Sequence, residues 1–185
     1  MASKKPLKIG PSGINEEFSA TDTVAPTHGG TGKTVSDLAG QSSKVLAVNA
    51  TEDGYDLVSG GSMVAILVTD PQGAAIATGD GKAYFRVNEY LNGMNLITVG
   101  ASVSTGSSSG ALTIQVRRVR SGSPVDMLST PITIDVSETD SSTAAAAVIN
   151  TSNDDLATAD QIFVDIDAAG TDAKGLCITL VFQSP

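Results

Sequence analysis

The chain has 185 residues and a formal net charge of −9. That length suits one domain with an extension, and an acidic chain without clustered Lys and Arg argues against nucleic-acid binding. No run of 18 apolar residues occurs, and no apolar segment follows the first lysines, so we expect neither a membrane span nor a signal peptide. With aromatic residues at 4% and no Trp, the core must consist of Val, Ile, Leu and Ala.

Residues 1–62 are rich in glycine and proline, with Gly29, Gly30 and Gly32 close together. Such a stretch cannot bury a core alone, so the pattern predicts an extended arm. Within it we expect a short helix over 35–39, capped by Thr34 or Ser36, and a hairpin that joins 45–48 to 55–58.

Residues 63–185 change to a period of two, as in Leu112, Ile114 and Val116. This alternation is typical of half-buried strands, and we predict about eight of them, over 64–68, 83–87, 96–103, 112–117, 132–136, 145–149, 162–167 and 176–182. Asn92-Gly93 is the sharpest turn signal, and the last two strands are expected to form a hairpin across 168–174. The predicted fold is all-β: an antiparallel β-sandwich, jelly-roll-like, preceded by the glycine-rich arm.

The string GGTGKT at residues 29–34 ends like a phosphate-binding loop. That loop requires a first Gly separated by four residues from the Gly-Lys-Thr ending, at the position where Thr27 stands, and it must join a strand to a helix. Residues 21–26 contain no apolar strand. We therefore interpret the string as a flexible or inter-subunit loop.

Six aspartates between 154 and 172 could ligate calcium, but no calcium-loop spacing is present, and a solvated strand face is the preferred interpretation. An arginine cluster, Arg117, Arg118 and Arg120, could grip a carboxylate or glycan, or protect a sheet edge. Cys177 lies in an apolar run and is interpreted as a small buried side chain.

No catalytic set can be assembled, because the single histidine, His28, lies in the arm and no Cys/His metal spacing exists. We therefore expect no enzymatic activity, no cofactor and no metal. The arm begins with Lys4, Lys5 and Lys8, a basic tip that is either an ordinary solubilising terminus or an anchor onto an acidic surface. With His28, Gly29, Gly30 and Gly32, these lysines are the candidate docking residues.

Two groups of segments resemble bacteriophage virion proteins. APTHGGTGKT, VSDLAG and VLAVNATEDGYDLVSGG, within residues 24–61, resemble the N-terminal segments of phage fibre and head-decoration proteins. TGDGKAYFRVNEYLNGMNLITVGASVSTGSSSGALTIQVRR, LSTPITID, SSTAAAAVI and AKGLCITLVF look like a phage jelly-roll module. The resemblance implies a homotrimer on the virion surface.

The leading hypothesis is a capsid decoration protein or head fibre that binds the major capsid protein or another virion protein through its arm. The second is a tail fibre whose loops 105–110 and 167–174 bind a host surface glycan. A depolymerase on a β-scaffold is the third, disfavoured by the scarcity of aromatic residues. Neither nucleic acid nor membrane is an expected partner.

Overall fold

A computed structural model of the chain describes residues 7–9, 15–17, 44–48 and 55–185, with side chains from residue 60 onward. The chain divides into two compact units, Met1–Gly60 and Gly61–Pro185. The second unit begins two residues before the predicted start of the sandwich at residue 63. Each unit is described by itself below.

The first unit contains two antiparallel strand pairs. Strands β1 (Leu7–Ile9) and β2 (Asn15–Glu17) form one pair, and β3 (Lys44–Val48) and β4 (Tyr55–Ser59) form the other. The β3–β4 pair confirms the predicted hairpin over 45–58. The predicted helix at 35–39 and the GGTGKT string lie outside the described residues.

The second unit is an antiparallel β-sandwich and has no α-helix. Its strands, in chain order, are β5 (Gly61–Leu67), β6 (Gly79–Arg86), β7 (Asn95–Ser102), β8 (Leu112–Arg120), β9 (Ser123–Asp126), β10 (Leu128–Thr130), β11 (Ile132–Ile134), β12 (Val148–Ile149), β13 (Gln161–Ala169) and β14 (Cys177–Gln183). A single 3-10 turn at Glu89–Leu91 follows β6, where the side chain of Asn88 accepts hydrogen bonds from Tyr90 N and Leu91 N. Asn92-Gly93 follows this turn as predicted.

Two sheets form the sandwich. One has the order β11-β8-β13-β6, with β9 added beside β8, and the other has the order β5-β14-β7. The pairs β5–β14, β6–β13 and β8–β11 are nested along the chain, which is the strand order of a jelly roll. A complete jelly roll would also pair β7 with β12, but β12 instead pairs with β10.

The core lies between the two sheets. Strand β14 presents Ile178, Leu180 and Phe182 inward, all fully buried. Ile162, Val164 and Ile166 on β13 are equally buried. The rings of Phe182 and Phe85 meet edge to face, with centroids 6.3 Å apart, and so join strands of different sheets.

The structure confirms most of the predicted strands and corrects one connection. Strands β13 and β14 do not form a hairpin, because β13 pairs with β6 and β8 while β14 pairs with β5 and β7. Period-two alternation identifies a strand but not its partner. The predicted strand over 145–149 is reduced to Val148–Ile149, and the short strands β9 and β10 were not predicted.

Replacing Phe182 by alanine tests the core between the sheets. We expect Phe182→Ala to lower the free energy of unfolding by about 3–5 kcal/mol, because it removes a fully buried ring and its partner across the sandwich. Urea unfolding followed by circular dichroism measures the change. Tyr90→Ala, at a side chain that is 78% exposed, is the control, and it should change stability by less than about 0.5 kcal/mol; equal effects of the two would contradict the assignment of Phe182 to the core.

Candidate interaction surfaces

The predicted docking residues lie in the first unit. Of these, Lys8 falls in β1, where its backbone is opposite Glu16. Lys4, Lys5, His28, Gly29, Gly30 and Gly32 lie outside the described residues. Their assignment to docking stays a prediction.

The arginine cluster is engaged within the sandwich. Arg117 donates from Nε to Asp165 Oδ2 at 2.5 Å and from Nη2 to Oδ1 at 2.9 Å, while its guanidinium lies 5.2 Å from the centroid of the Phe163 ring. Asp165 is buried at 4% exposure and also accepts from Gly81 N. This bidentate pair joins β8 to β13, its neighbour in the sheet.

The other two arginines bind the segment that precedes β13. Arg120 donates from Nε and Nη2 to Asp160 at 2.9 and 2.7 Å and from Nη1 to Asp155 at 2.8 Å. Arg118 donates from Nη1 to the carboxylate of Asp155 and to its carbonyl oxygen. Asp160 also accepts a hydrogen bond from Ala157 N, so its carboxylate holds both Arg120 and the turn at residues 157–160.

Both sequence interpretations of the arginines are therefore wrong. The cluster does not protect a sheet edge, because at these residues β8 lies between β9 and β13. It does not await an external carboxylate, because Asp155, Asp160 and Asp165 already occupy it. Asp160 and Asp165 are likewise buried in ion pairs rather than solvated.

These pairs shift the pKa values of the carboxyl groups. Burial is the largest single influence and raises the pKa of Asp155, Asp160 and Asp165, but the arginine hydrogen bonds, the backbone donors to Asp160 and Asp165 and the nearby arginine charges together outweigh it, so each pKa lies below its usual value. The pKa of Asp167 moves upward, first because of burial and then because Asp165, Asp126 and Asp80 are nearby carboxylates. The network is thus a stabilising element that depends on ionised aspartates.

The two loops predicted to bind a receptor lie against each other. Thr171 N donates to Ser109 O at 2.8 Å and to Ser107 Oγ at 2.9 Å, and Ser108 N donates to Thr171 O at 2.9 Å. Ser107 is buried at 1% exposure beneath Gly170, whose φ is +65°. The loops form one hydrogen-bonded end of the sandwich, and their role in receptor binding stays a prediction.

The outer face of the three-stranded sheet carries no charge. Its twelve residues, which we call the uncharged face, are Gly61, Met63, Ala65 and Leu67 on β5, Cys177, Thr179, Val181 and Gln183 on β14, and Asn95, Thr98, Gly100 and Ser102 on β7. Met63 is 70% exposed and Leu67 is 61% exposed. Two large exposed apolar side chains on one strand of an uncharged sheet are typical of a protein contact surface.

A groove of about 570 Å³ lies along β7, at the edge of the three-stranded sheet opposite to β5. Its lining combines residues 97–102 of β7 with the alanine run 144–147, and Thr133, Ser141 and Thr179 contribute polar atoms. The alanines on one side and Gly100, Ala101 and Ser102 on the other are too small to fill the groove. The alternation in the sequence marked residues 145–149 as a strand, and nothing in the sequence indicated that a groove separates them from β7.

Cys177 departs from its predicted position. It faces outward on the uncharged face and is half-buried, while Ile178 beside it enters the core. The apolar run 176–182 contains two apolar faces, so the sequence alone could not decide which one was inside. Within residues 60–185 no group of three or more His, Cys, Asp or Glu side chains could hold a metal ion.

No protein family, curated protein or solved structure matches the chain. In the part of the chain that the structure describes, no helix is long and apolar enough to cross a membrane.

The aspartate network predicts how stability depends on pH. A depressed carboxyl pKa contributes stability that is present above the unfolded value near 3.9 and is lost as pH falls through the folded value. We therefore expect the free energy of unfolding to fall steeply below about pH 4. The raised pKa of Asp167 acts in the opposite direction, but it is one carboxyl group and the lowered pKa values belong to three. Thermal unfolding across pH measures this.

Asp160→Asn isolates one member of the network. It should lower stability at neutral pH by about 1.5 kcal/mol, because Arg120 loses a bidentate carboxylate and keeps only Asp155, and it should weaken the acid dependence. Asp135→Asn is the matched control, since Asp135 is exposed and its side chain has no partner within residues 60–185. A wild-type acid dependence in Asp160→Asn would contradict the role of the network.

The packed loops predict a second effect on stability. Gly170→Ala should destabilise by about 2 kcal/mol or more, because a Cβ there would collide with the Ser107 side chain and lie 2.7 Å from Gly110 O. Gly122→Ala is the control: Gly122 has φ +82° but nothing within 4 Å of the added Cβ, so it should cost only about 1 kcal/mol for the backbone conformation. Equal losses on chemical unfolding would show that the loop contact contributes nothing.

Proposed function

We propose that the chain is a structural protein of a bacteriophage particle, a homotrimeric capsid decoration or head-fibre protein that binds a virion protein such as the major capsid protein through residues 1–62. The sandwich then lies at the particle surface and supplies contacts between copies. Its action is binding rather than catalysis. The virion assignment rests on the resemblance of residues 24–61 and of the sandwich segments to phage proteins.

The uncharged face is the observation that supports binding. Residues 61–185 hold thirteen Asp and Glu against six Lys and Arg, a net charge of −7, yet the twelve residues of this face include none of the nineteen. If this face contacted only solvent, we would expect it to carry charged residues as the rest of the unit does. Exposed Met63 and Leu67 favour contact with another protein surface.

A tail fibre that binds a host surface glycan is the second candidate. The joined loops over 105–110 and 167–174 favour it, because hydrogen bonds between Ser108, Ser109 and Thr171 hold two exposed segments together at one end of the sandwich. A rigid loop cluster of this kind is a common receptor-binding surface.

The lysines of the arm provide the test of docking. We expect a variant of the chain with Lys4→Gln, Lys5→Gln and Lys8→Gln to bind phage particles at least about tenfold more weakly. Each lysine near an acidic surface contributes electrostatic attraction that persists at moderate ionic strength. Occupancy is measured by sedimentation of particles with added purified protein. Electron microscopy then shows whether the bound protein lies on the capsid or on the tail.

A matched variant removes three cations of the sandwich, Lys82→Gln, Arg86→Gln and Lys174→Gln, whose side chains make no ion pair within residues 60–185. This control should bind like the wild type. Equal binding of both triple variants would contradict docking through the basic tip, and density confined to the tail would favour the tail-fibre candidate.

A further inference from the structure

We propose that β5 of one copy of the chain docks in the groove beside β7 of a second copy, with Met63 and Leu67 as its apolar contacts. This inference rests on the proposed function, because it assigns the contact that holds its oligomer together. Both halves of the contact are present on every copy, at opposite edges of the same three-stranded sheet.

The groove occupies the place of a missing strand. In the nested order of the sandwich, β12 would pair with β7, but the chain reaches β7 only at its ends: Ser141 N donates to Ala101 O at 3.0 Å, and Leu96 N donates to Asp154 O at 2.9 Å. Between these points the alanine run 144–147 lines the groove without forming a ladder with β7. Within residues 60–185 no strand therefore pairs with the centre of the β7 edge.

Val99 marks the open centre. Ala101 exchanges hydrogen bonds with Ser141 on the side away from β14, and backbone groups in an antiparallel strand alternate between its two sides. The N–H and C=O of Val99, two residues away in a regular part of the ladder, therefore point into the groove. No partner for them is present among the described residues.

Strand β5 has the complementary properties. Its only neighbour among the described residues is β14, so no described strand pairs with the other edge of this seven-residue strand. Met63 and Leu67 project from it on the uncharged face. The groove is several times larger than a cavity of about 150 Å³, which accepts a benzene-sized group, so it has room for both side chains.

Charge favours a second copy as the occupant. Two copies with sandwich charges of −7 repel each other wherever their acidic surfaces meet. The uncharged face avoids this repulsion, and Asp140 is the only charged residue in the groove lining. Contact through β5 and the groove therefore brings together the least charged parts of both copies.

Area favours a closed ring over a single pair. Strand spacing and rise give the uncharged face an extent of about 330 Å², against roughly 800 Å² per partner in a stable interface. A head-to-tail contact leaves one groove and one β5 free in each pair, and closing the ring lets every copy use both. Three copies would close such a ring in the proposed homotrimer.

Two variants of the full chain disable one half of the contact each. Leu67→Asp places a charge on β5, and Ala146→Arg fills the groove from an exposed position. Each should weaken association at least about 30-fold, as expected when a residue at the centre of an interface is disrupted. Tyr90→Asp and Val148→Arg are the matched controls, since both positions are exposed and neither lies in the face or the groove; both should assemble like the wild type.

Mixing the two disabled variants is the decisive measurement. Leu67→Asp keeps an intact groove and Ala146→Arg keeps an intact β5, so an equimolar mixture can make one contact per pair. At concentrations approaching millimolar this mixture should contain a heterodimer that neither variant forms alone, held more weakly than the wild-type ring. Sedimentation velocity with one variant fluorescently labelled detects it, and circular dichroism verifies that both variants fold. Monomers in the mixture, or variants that assemble as well as their controls, would overturn the proposed contact.

The failures are distinguishable. A wild type that binds particles but remains monomeric up to millimolar concentration would overturn the contact and leave the virion assignment standing. A wild type that assembles through β5 and the groove but does not bind particles would overturn the virion assignment and leave the contact standing. Cross-linking of β5 to residues 1–60 of its own copy in place of the groove would also overturn the proposal.

Discussion

The sandwich depends on one crossing, the passage of the chain from β13 in one sheet to β14 in the other. Strand β13 lies between β6 and β8, and β14 lies between β5 and β7, so both are central strands whose inward side chains are fully buried. The crossing places Ile166 and Ile178 in the same core although only eleven residues separate them. Without it, two open sheets would each expose an apolar face to water.

The crossing also explains where the backbone is constrained. Gly170 and Gly175 both have positive φ, and both lie against serines of the 104–107 segment. Close packing at these two glycines holds the connection against the neighbouring loop. The arginine network acts at the other end of β13, where Asp155 and Asp160 precede the strand. Strand β13 is thus fixed at both ends by contacts that are not part of its ladders.

Strand positions could be predicted from the sequence because alternation is a local property. Leu112, Ile114 and Val116 identify β8 without reference to any other strand. Partners could not be predicted, since pairing in a jelly roll joins segments as far apart as β5 and β14. Chain proximity suggested a β13–β14 hairpin, and the demand for two covered apolar faces overrode it.

The interaction surfaces were even less accessible to sequence reasoning. The arginine cluster is visible in the sequence, but its partners lie 35 to 48 residues away. The uncharged face combines three strands, none of which is unusual alone. The groove exists because residues 144–147 form no ladder with β7. An alanine-rich segment is compatible both with pairing as a strand and with remaining unpaired, so its sequence does not reveal the groove.

The internal use of Arg117, Arg118 and Arg120 has a consequence for what the sandwich can approach. Three of its six cations are neutralised inside the fold, and Lys82, Arg86 and Lys174 remain to offset the carboxylates outside the network. The field around the sandwich is therefore negative over most directions. Polyanions are repelled over about 10 Å at moderate salt, whereas neutral or basic surfaces can approach without that cost.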